Sequence, residues 1–448
     1  MLTTTPTLKQ QQPVDLNDLT AEKLLTYFQD TWAIYDWLFS AIKAPETYYT
    51  APDPLRNPLI FYWGHTAAFY INKLAAAGVI KEGINEAYEL LFARGVDPDL
   101  PEHLEVQELW PSLAEVDAYR QAVKQVVENC IKTQDYTTSI DDQHPLWAIL
   151  MGIEHDRIHF ETSSVLLRQV PANALQMPQG WKYAPSQGLP IDNKLLQVAG
   201  GTVVLGKKET STTYGWDNEY GQLEQLVAPF EASQNLISNQ EFLLFYDSGA
   251  YQDAQYWSTE GWEWKTRTKT QQPKFWVPSD KGFLYRAMFD EQLMPLDYPV
   301  EVNCHEALAY CAWVGGGFRL MKEEEFQLLA QRELQERDCA FETCYNLNLK
   351  GGSPNPVGSL LKPKQALEFN DLFGNVWEWL QDNFYALPGF EVHPLYDDFS
   401  APYFDEEHNM MAGGSWATTG TGASRYYRLW FRRHFYQHAG FRLTRNQQ

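Results

Sequence analysis

The stretch Gly152-Ile153-Glu154-His155-Asp156-Arg157-Ile158-His159-Phe160-Glu161-Thr162 decides how the first half of the chain is read. It lies in a run that opens after Asp142-Gln143-His144-Pro145 and reads as one helix to about Val170. Residues four apart lie on one helix face, one turn from each other, so His155 and His159 are neighbours there. The same face carries Ala148, Met151, Gly152, Thr162, Ser163 and Leu166, mostly small or apolar, and therefore looks into a bundle. Two imidazoles on such a face either hold one metal ion with a third ligand from elsewhere or are ordinary core histidines. The spacing alone leaves both readings open.

Working outward, Leu24, Leu25, Phe28, Trp32, Tyr35 and Leu38 recur at steps of three and four, or close to them, which predicts a helix from Leu16 to about Ile42 with Thr20 as N-cap. The prolines of Ala51-Pro52-Asp53-Pro54-Leu55-Arg56-Asn57-Pro58 break it. A second helix, Leu59 to Leu74, is apolar nearly all round and so belongs at the centre of its domain. It carries His65, beside Gly64, Ala67 and Ala68, which are small enough to let a helix or an ion approach. Further helices are predicted from about Glu82 to Phe92 and from Leu113 to about Lys132. Four or five helices with ligands projecting inward from facing partners make a metal-binding bundle.

At 448 residues the chain exceeds one ordinary core, and two or three domains are expected. Its 58 Asp plus Glu against 35 Lys plus Arg leave a net charge of -23, which repels phosphate backbones and anionic lipid. Nucleic-acid and membrane partners are disfavoured. Met1 to Gln12 carries neither a basic nor an apolar targeting segment, and a cytoplasmic location is expected. The five cysteines, Cys130, Cys304, Cys311, Cys339 and Cys344, show no C-x-x-C spacing and read as reduced thiols.

Between Pro171 and Asn193 the composition turns to Pro, Gly, Gln and Ser, which reads as a linker. The expected organisation is therefore a helical domain over 16–170, a linker over 171–193 and a second domain over 194–448. The last is rich in Gly, Trp and Tyr, with an apolar strand at Gln197 to Leu205, helices at Cys304 to Trp313 and Glu323 to Leu334, and long irregular intervals of the kind that carry function. No phosphate-cradling glycine loop stands between a strand and a helix.

Ordered motifs run through this second half: Val300 to Trp313 ahead of Gly316-Gly317-Phe318-Arg319-Leu320, Asp371-Leu372-Phe373-Gly374-Asn375-Val376-Trp377-Glu378-Trp379, Gly413-Gly414-Ser415-Trp416 and Gly440-Phe441-Arg442. Together they resemble the formylglycine-generating-enzyme, or sulfatase-modifying-factor, family, whose fold is C-type-lectin-like. The reactive cysteine pair of true formylglycine generators has no counterpart after Cys344. With Gly64-His65-Thr66 and His155/His159, the first half resembles a DinB-like bundle. The resemblance implies an α+β chain, a helical bundle followed by a domain with much irregular structure. This pairing is the architecture of the non-haem iron sulfoxide synthases of thiohistidine biosynthesis. Pro54 to Ala67, Ile71-Asn72-Lys73-Leu74, Gly95-Val96-Asp97, Asp156 to Leu166 and Gln437 to Arg442 resemble the ovothiol branch, which joins cysteine to histidine at imidazole C5. The ergothioneine branch, which joins trimethylhistidine (hercynine) to cysteine or γ-glutamylcysteine, commonly has a glutamine where this chain has Ile158.

The resemblance implies a cofactor, Fe(II), on His65, His155 and His159. Three neutral imidazoles suit iron(II) and leave octahedral positions for dioxygen and substrate; zinc also accepts three histidines, and the domain pairing decides for iron. It further implies a catalytic tyrosine in Leu395-Tyr396-Asp397-Asp398-Phe399-Ser400-Ala401-Pro402, for which Tyr396 is the match. Arginine forks suit the carboxylates of amino-acid substrates, which nominates Arg432 and Arg433. Trp416, Phe399, Trp430, Phe431 and Asn375 are expected to line the same cleft. A separate methyltransferase and a C–S lyase are expected downstream. The non-enzyme alternative is a ligand-binding module on the same fold.

Overall fold

The computed structural model describes residues 5–447 apart from 94, 96, 99, 105–108, 335–343 and 361–366. Val96 of the Gly95-Val96-Asp97 match and Cys339 lie outside the described residues. Helix α1 is Ala21–Phe39, shorter at both ends than the periodicity predicts, and Thr20 caps it by accepting from the Lys23 amide at 3.3 Å. Helix α2, Leu59–Ala76, starts directly after Pro58 and is buried on all sides up to Phe69 and beyond. Helix α3 is only Glu86–Leu91, because Asn85 caps it and Glu89 folds back onto the amides of Ile84 and Asn85. Helix α4, Leu113–Thr133, opens with a Ser112/Glu115 capping box, and α5 is Pro145–Gln169.

Helix α5 packs against α2, with α1 and α4 completing the bundle. Gly152 permits the close approach of α2 and α5: a Cβ there would lie 2.3 Å from the Tyr70 ring. Arg120 ties α4 to its neighbours, pairing with Asp36 at 2.8 Å and donating to the Trp63 carbonyl at 2.8 Å. Its guanidinium lies 3.7 Å over the Trp63 ring, so the buried charge is fully compensated.

The segment after α5 is extended, yet it is fastened down. Trp181 is buried between Trp37 and Trp416, with ring centroids 4.7 and 5.9 Å away, and its indole donates to the Gly352 carbonyl.

The predicted strand over 197–205 is two strands, β1 (Leu195–Val198) and β2 (Gly201–Leu205). The chain turns at Gly200, where a Cβ would lie 2.2 Å from the Val227 carbonyl oxygen. Strand β2 pairs with β3 (Leu223–Val227), while β1 joins a sheet with β4 (Phe230–Ser233) and β12 (Thr444–Asn446). Strands β5 (Trp276–Ser279), β6 (Gly282–Arg286) and β7 (Glu291–Leu293) form an antiparallel meander. The largest sheet has the order β10-β9-β8-β11, from Leu429–Arg432, His408–Ala412, Trp377–Asn383 and Ala439–Gly440. Helices α6 (Asn239–Asp247), α7 (Thr259–Thr268), α8 (Cys304–Val314) and α9 (Glu323–Leu334) complete a mixed domain with long loops. The closing Gly440-Phe441-Arg442 is a structural lock, because buried Arg442 pairs with Glu378 at 3.1 Å and donates to the carbonyls of Ser233, Gln234 and Asn370. Cys130, Cys304, Cys311 and Cys344 are buried and lie outside any disulfide among the described residues, and no described helix is long and apolar enough to cross a membrane.

Candidate metal centre between the two halves of the chain

Helix α5 presents two faces, and each has its own task. His155 and His159 point toward α2, whose His65 faces them, and the ligating atoms of all three lie within 4.8 Å of one another. His65 Nδ1 donates to the Phe92 carbonyl at 2.6 Å, which leaves Nε2 as the free lone pair. Gly64 makes that bond possible, because the Phe92 ring occupies the space where a Cβ would stand at 2.6 Å. His155 lies flat against Phe69, with ring centroids 3.5 Å apart and planes within 5°.

Three observations fit a cation here. His65 Nε2 and His159 Nε2 face each other at 3.1 Å, an arrangement that needs a proton or a cation to offset two lone pairs. His155 Nδ1 and Nε2 and His159 Nδ1 are buried without a hydrogen-bond partner. Burial also holds the His65 imidazole down to about 4 despite the Phe92 bond, and holds His155 and His159 well below the ordinary range, with the neighbouring histidines adding to the effect. All three are therefore neutral donors near pH 7, as ligation of a transition metal requires.

A cavity of about 1520 Å³ lies between the bundle and the second domain; His65 and His159 line it directly, with Tyr62, Phe69, Ile158 and Thr162 on the bundle side, and His155 stands behind the Phe69 ring. The second domain contributes Tyr396, Phe399, Trp430 and Phe431 to the wall. The Tyr396 ring stands 6.1 Å from His155 and 5.1 Å from Phe69 between centroids, and burial pushes its phenol well above the usual range, with Asp398 adding to the shift.

Four expected lining residues are elsewhere. Arg432 is held by Asp97 at 2.9 Å and by Glu407, so its guanidinium is spent on fastening the 97 loop to β10. Arg433 is shared among Glu260, Asn409 and Asn383 at 2.6–2.7 Å. Asn375 is buried in a left-handed turn with φ of 67° and exchanges hydrogen bonds with the Asn355 backbone. Trp416 is fully buried against Trp181 and His438. These are packing roles. The cations that do line the cavity include Arg56, Lys73 and Arg267, and spacing offered a clue to one of them, since His65, Phe69 and Lys73 are successively four apart on α2.

The other face of α5 fastens the second domain. Glu161 accepts from Trp377 Nε1 at 2.7 Å, from Thr418 at 2.8 Å and from Ser415. Glu154 accepts from the amide and hydroxyl of Thr421. One turn beyond Glu161, Ser164 meets His438 at 2.8 Å, and Arg168 pairs with Glu301 at 2.6 Å. Ligand-bearing and domain-bearing residues thus alternate round one helix, and the cavity wall is registered against the histidines by α5 itself.

The family described as "Sulfatase-modifying factor enzyme 1-like domain" matches residues 188–447, and the DinB superfamily matches residues 27–163. Over 464 residues the chain is 26% identical to "Ergothioneine biosynthesis protein 1" of Schizosaccharomyces pombe, an alignment covering 92% of this chain and 55% of that protein. It therefore spans little more than half the length of that relative. It is 27% identical to the "Hercynine oxygenase" of Mycolicibacterium thermoresistibile, with 88% of each chain covered, and 26% identical to that of Mycobacterium tuberculosis, covering 88% of this chain and 92% of the other.

Proposed function

Since the chain belongs to the sulfatase-modifying factor enzyme 1-like family and carries a DinB-type bundle ahead of that domain, we propose that it is an iron(II)- and dioxygen-dependent sulfoxide synthase. It joins the sulfur of a cysteine-type thiol to the imidazole carbon of a histidine-type substrate. The observation that carries this reading is the trio His65, His155 and His159, whose neutral imidazoles bring their ligating atoms within 4.8 Å of one another beside a cavity large enough for two amino-acid substrates. The reaction balances without an outside reductant. A thiol S–H and an imidazole C–H are lost, a C–S bond forms, one oxygen atom enters the sulfoxide and the other leaves as water.

Iron(II) on the three histidines would supply dioxygen activation. The protein's own part is to orient and to exclude water. Phe92 fixes the His65 ring, and Phe69 fixes that of His155. Tyr396, kept protonated by burial, is the candidate donor of a proton or hydrogen atom, while Phe399, Trp430 and Phe431 close the cavity around it. Arg56 and Arg267 replace Arg432 and Arg433 as candidates for holding substrate carboxylates. A cytoplasmic setting and a downstream C–S lyase go with this reading.

For the imidazole substrate, the names carried by the relatives support hercynine, the ergothioneine-type alternative, over the histidine and cysteine reading drawn from the sequence motifs. Unmethylated histidine stands as the second reading, favoured by Ile158 in the cavity wall, which offers no amide beside His159.

The test is anaerobic loading with iron(II), exposure to dioxygen and mass spectrometry of the products from hercynine or histidine, each paired with cysteine or γ-glutamylcysteine. Coupling with hercynine at the higher kcat/KM supports the first reading, and preference for histidine with cysteine supports the second. No coupling from any pair, with iron bound, overturns the synthase reading and favours a binding module. In the same assay Tyr396→Phe is expected to lower coupling by about 10²-fold, as loss of a positioned acid does. Thiol consumption should then shift toward the sulfinate, which needs only the thiol and dioxygen. An unchanged product ratio would remove Tyr396 from the chemistry.

A further inference from the structure

We infer that Lys73 is a positioning residue for Tyr396, an inference that rests on the proposed role of that tyrosine. His65, Phe69 and Lys73 occupy one face of α2 at successive spacings of four, so the helix that carries one histidine also carries, two turns on, a cation directed at the second domain. The Lys73 ammonium donates to the Leu395 carbonyl at 2.6 Å, the peptide oxygen immediately before Tyr396. The same nitrogen stands 4.0 Å over the centroid of the Tyr396 ring and 4.9 Å over that of Phe69, the ring that lies flat on His155. One ammonium therefore touches the backbone before the tyrosine, the face of its ring and the aromatic support of a histidine. A half-buried lysine gives up hydration, and here a carbonyl and two π faces replace the lost water.

The geometry of the tyrosine segment shows what this contact adds. Beyond Tyr396 the chain is anchored within the second domain, where Phe399 stacks on Trp216 at 4.2 Å and Ser400 donates to Asp217 at 2.5 Å. Before Tyr396, a tight turn is closed by the Tyr396 amide on the His393 carbonyl at 3.0 Å. These contacts set the segment relative to its own domain, whereas the phenol has to be set relative to the histidines, on the bundle. Lys73 spans that gap: it ties the position and ring plane of Tyr396 to the helix bearing His65. The same contact from a surface lysine would reach neither ring.

The test compares Lys73→Met, which keeps the stem and removes the charge and donor, with Lys73→Arg, which keeps both. In the iron-loaded enzyme, Lys73→Met is expected to lower kcat about tenfold with KM within about twofold, because a misplaced group costs turnover rather than binding. Lys73→Arg should restore most of the loss. In the Tyr396→Phe background Lys73→Met should add nothing, since residues acting through one another are not additive. A second readout needs neither iron nor turnover. Amide hydrogen exchange of the metal-free protein should quicken across 393–399 in Lys73→Met and leave α2 as in the parent. Quickened exchange along α2, a raised KM with unchanged kcat, or full additivity with Tyr396→Phe would each overturn the inference. If Tyr396→Phe alone couples normally, the role of the tyrosine fails, and the exchange measurement still decides whether Lys73 holds the segment. Should Lys73→Met not fold, Lys73→Gln takes its place in every comparison.

Discussion

His159→Ala is expected to emerge from purification without bound iron(II), to take up none after anaerobic loading and desalting, and to form no coupled product. The site offers three nitrogens and, among the described residues, no acidic or thiol group completes the cluster, so no spare ligand replaces the lost one. Loss of an outer partner of a ligand already costs about 10–100-fold in metal affinity, and loss of a ligand itself costs more. The fold should survive. His159 is only partly buried, and in the metal-free state its Nε2–H can donate to His65 Nε2 at 3.1 Å, a single neutral hydrogen bond whose loss costs about 1 kcal/mol. The metal-free variant is therefore expected to fold and to unfold cooperatively at a slightly lower urea concentration than the metal-free parent. Iron measured by plasma emission at parental stoichiometry, with turnover intact, would remove His159 from the ligand set. His155→Ala gives the same expectation, with a larger loss of stability because it also removes the ring stacked on Phe69.

Helical spacing, a local property, made His155 and His159 legible as neighbours on one buried face, while their joining His65 as a ligand set came from the family resemblance. The i,i+4 pair, the apolar run around His65 and the small residues Gly64 and Gly152 each speak of one turn of helix and what can approach it. Tyr396 came from motif resemblance and Phe399, Trp430 and Phe431 from their places in the same segments, and all four line the cavity. The arginines misled because a guanidinium's partner is set by the tertiary fold: Asp97 is 335 residues from Arg432, and Glu260 is 173 from Arg433. Asn375 and Trp416 misled for a related reason, since a motif marks equally a turn that shapes the fold and a side chain that meets a ligand. Helices α6 and α7 were missed although Ser238 and Glu241 form a capping box ahead of α6, a signal present in the chain and passed over among the irregular loops. The carboxylates of α5, Glu154 and Glu161, carry no local signal of their role, and only their hydrogen bonds to Thr421, Trp377 and Thr418 identify them as the join between domains.

That join yields the second large effect, at Glu301. Its carboxylate accepts from Arg168 at 2.6 Å and from the Tyr285 hydroxyl at 2.6 Å, and it lies 3.1 Å from His438 Nδ1, while His438 Nε2 meets Ser164 of α5 at 2.8 Å. Arg168 and Glu301 are both about 1% exposed, so removing the acid leaves a guanidinium in a space that water does not reach. Glu301→Ala is expected to lower the free energy of unfolding by about 3–5 kcal/mol, the usual cost of stranding one member of a buried pair. Glu301→Gln should cost less, because an amide still accepts from Tyr285. Burial alone would raise the Glu301 carboxyl, but the Arg168 charge and the His438 bond outweigh it and hold the group at about 2. A depressed acid contributes stability that is complete above its ordinary value of about 4.5 and is lost as pH falls toward the folded value, so the gap between parent and variant should narrow only below that point. The functional consequence follows from position. His438 adjoins Gln437 in the cavity wall, and Ser164 lies one turn from Glu161, so an unanchored His438 loosens the wall opposite the histidines. Coupling should therefore fall in Glu301→Gln while iron content remains parental, separating the placement of the wall from the holding of the metal. Equal stability of parent and Glu301→Ala in urea at pH 7 would show that the join between the domains is carried elsewhere on α5.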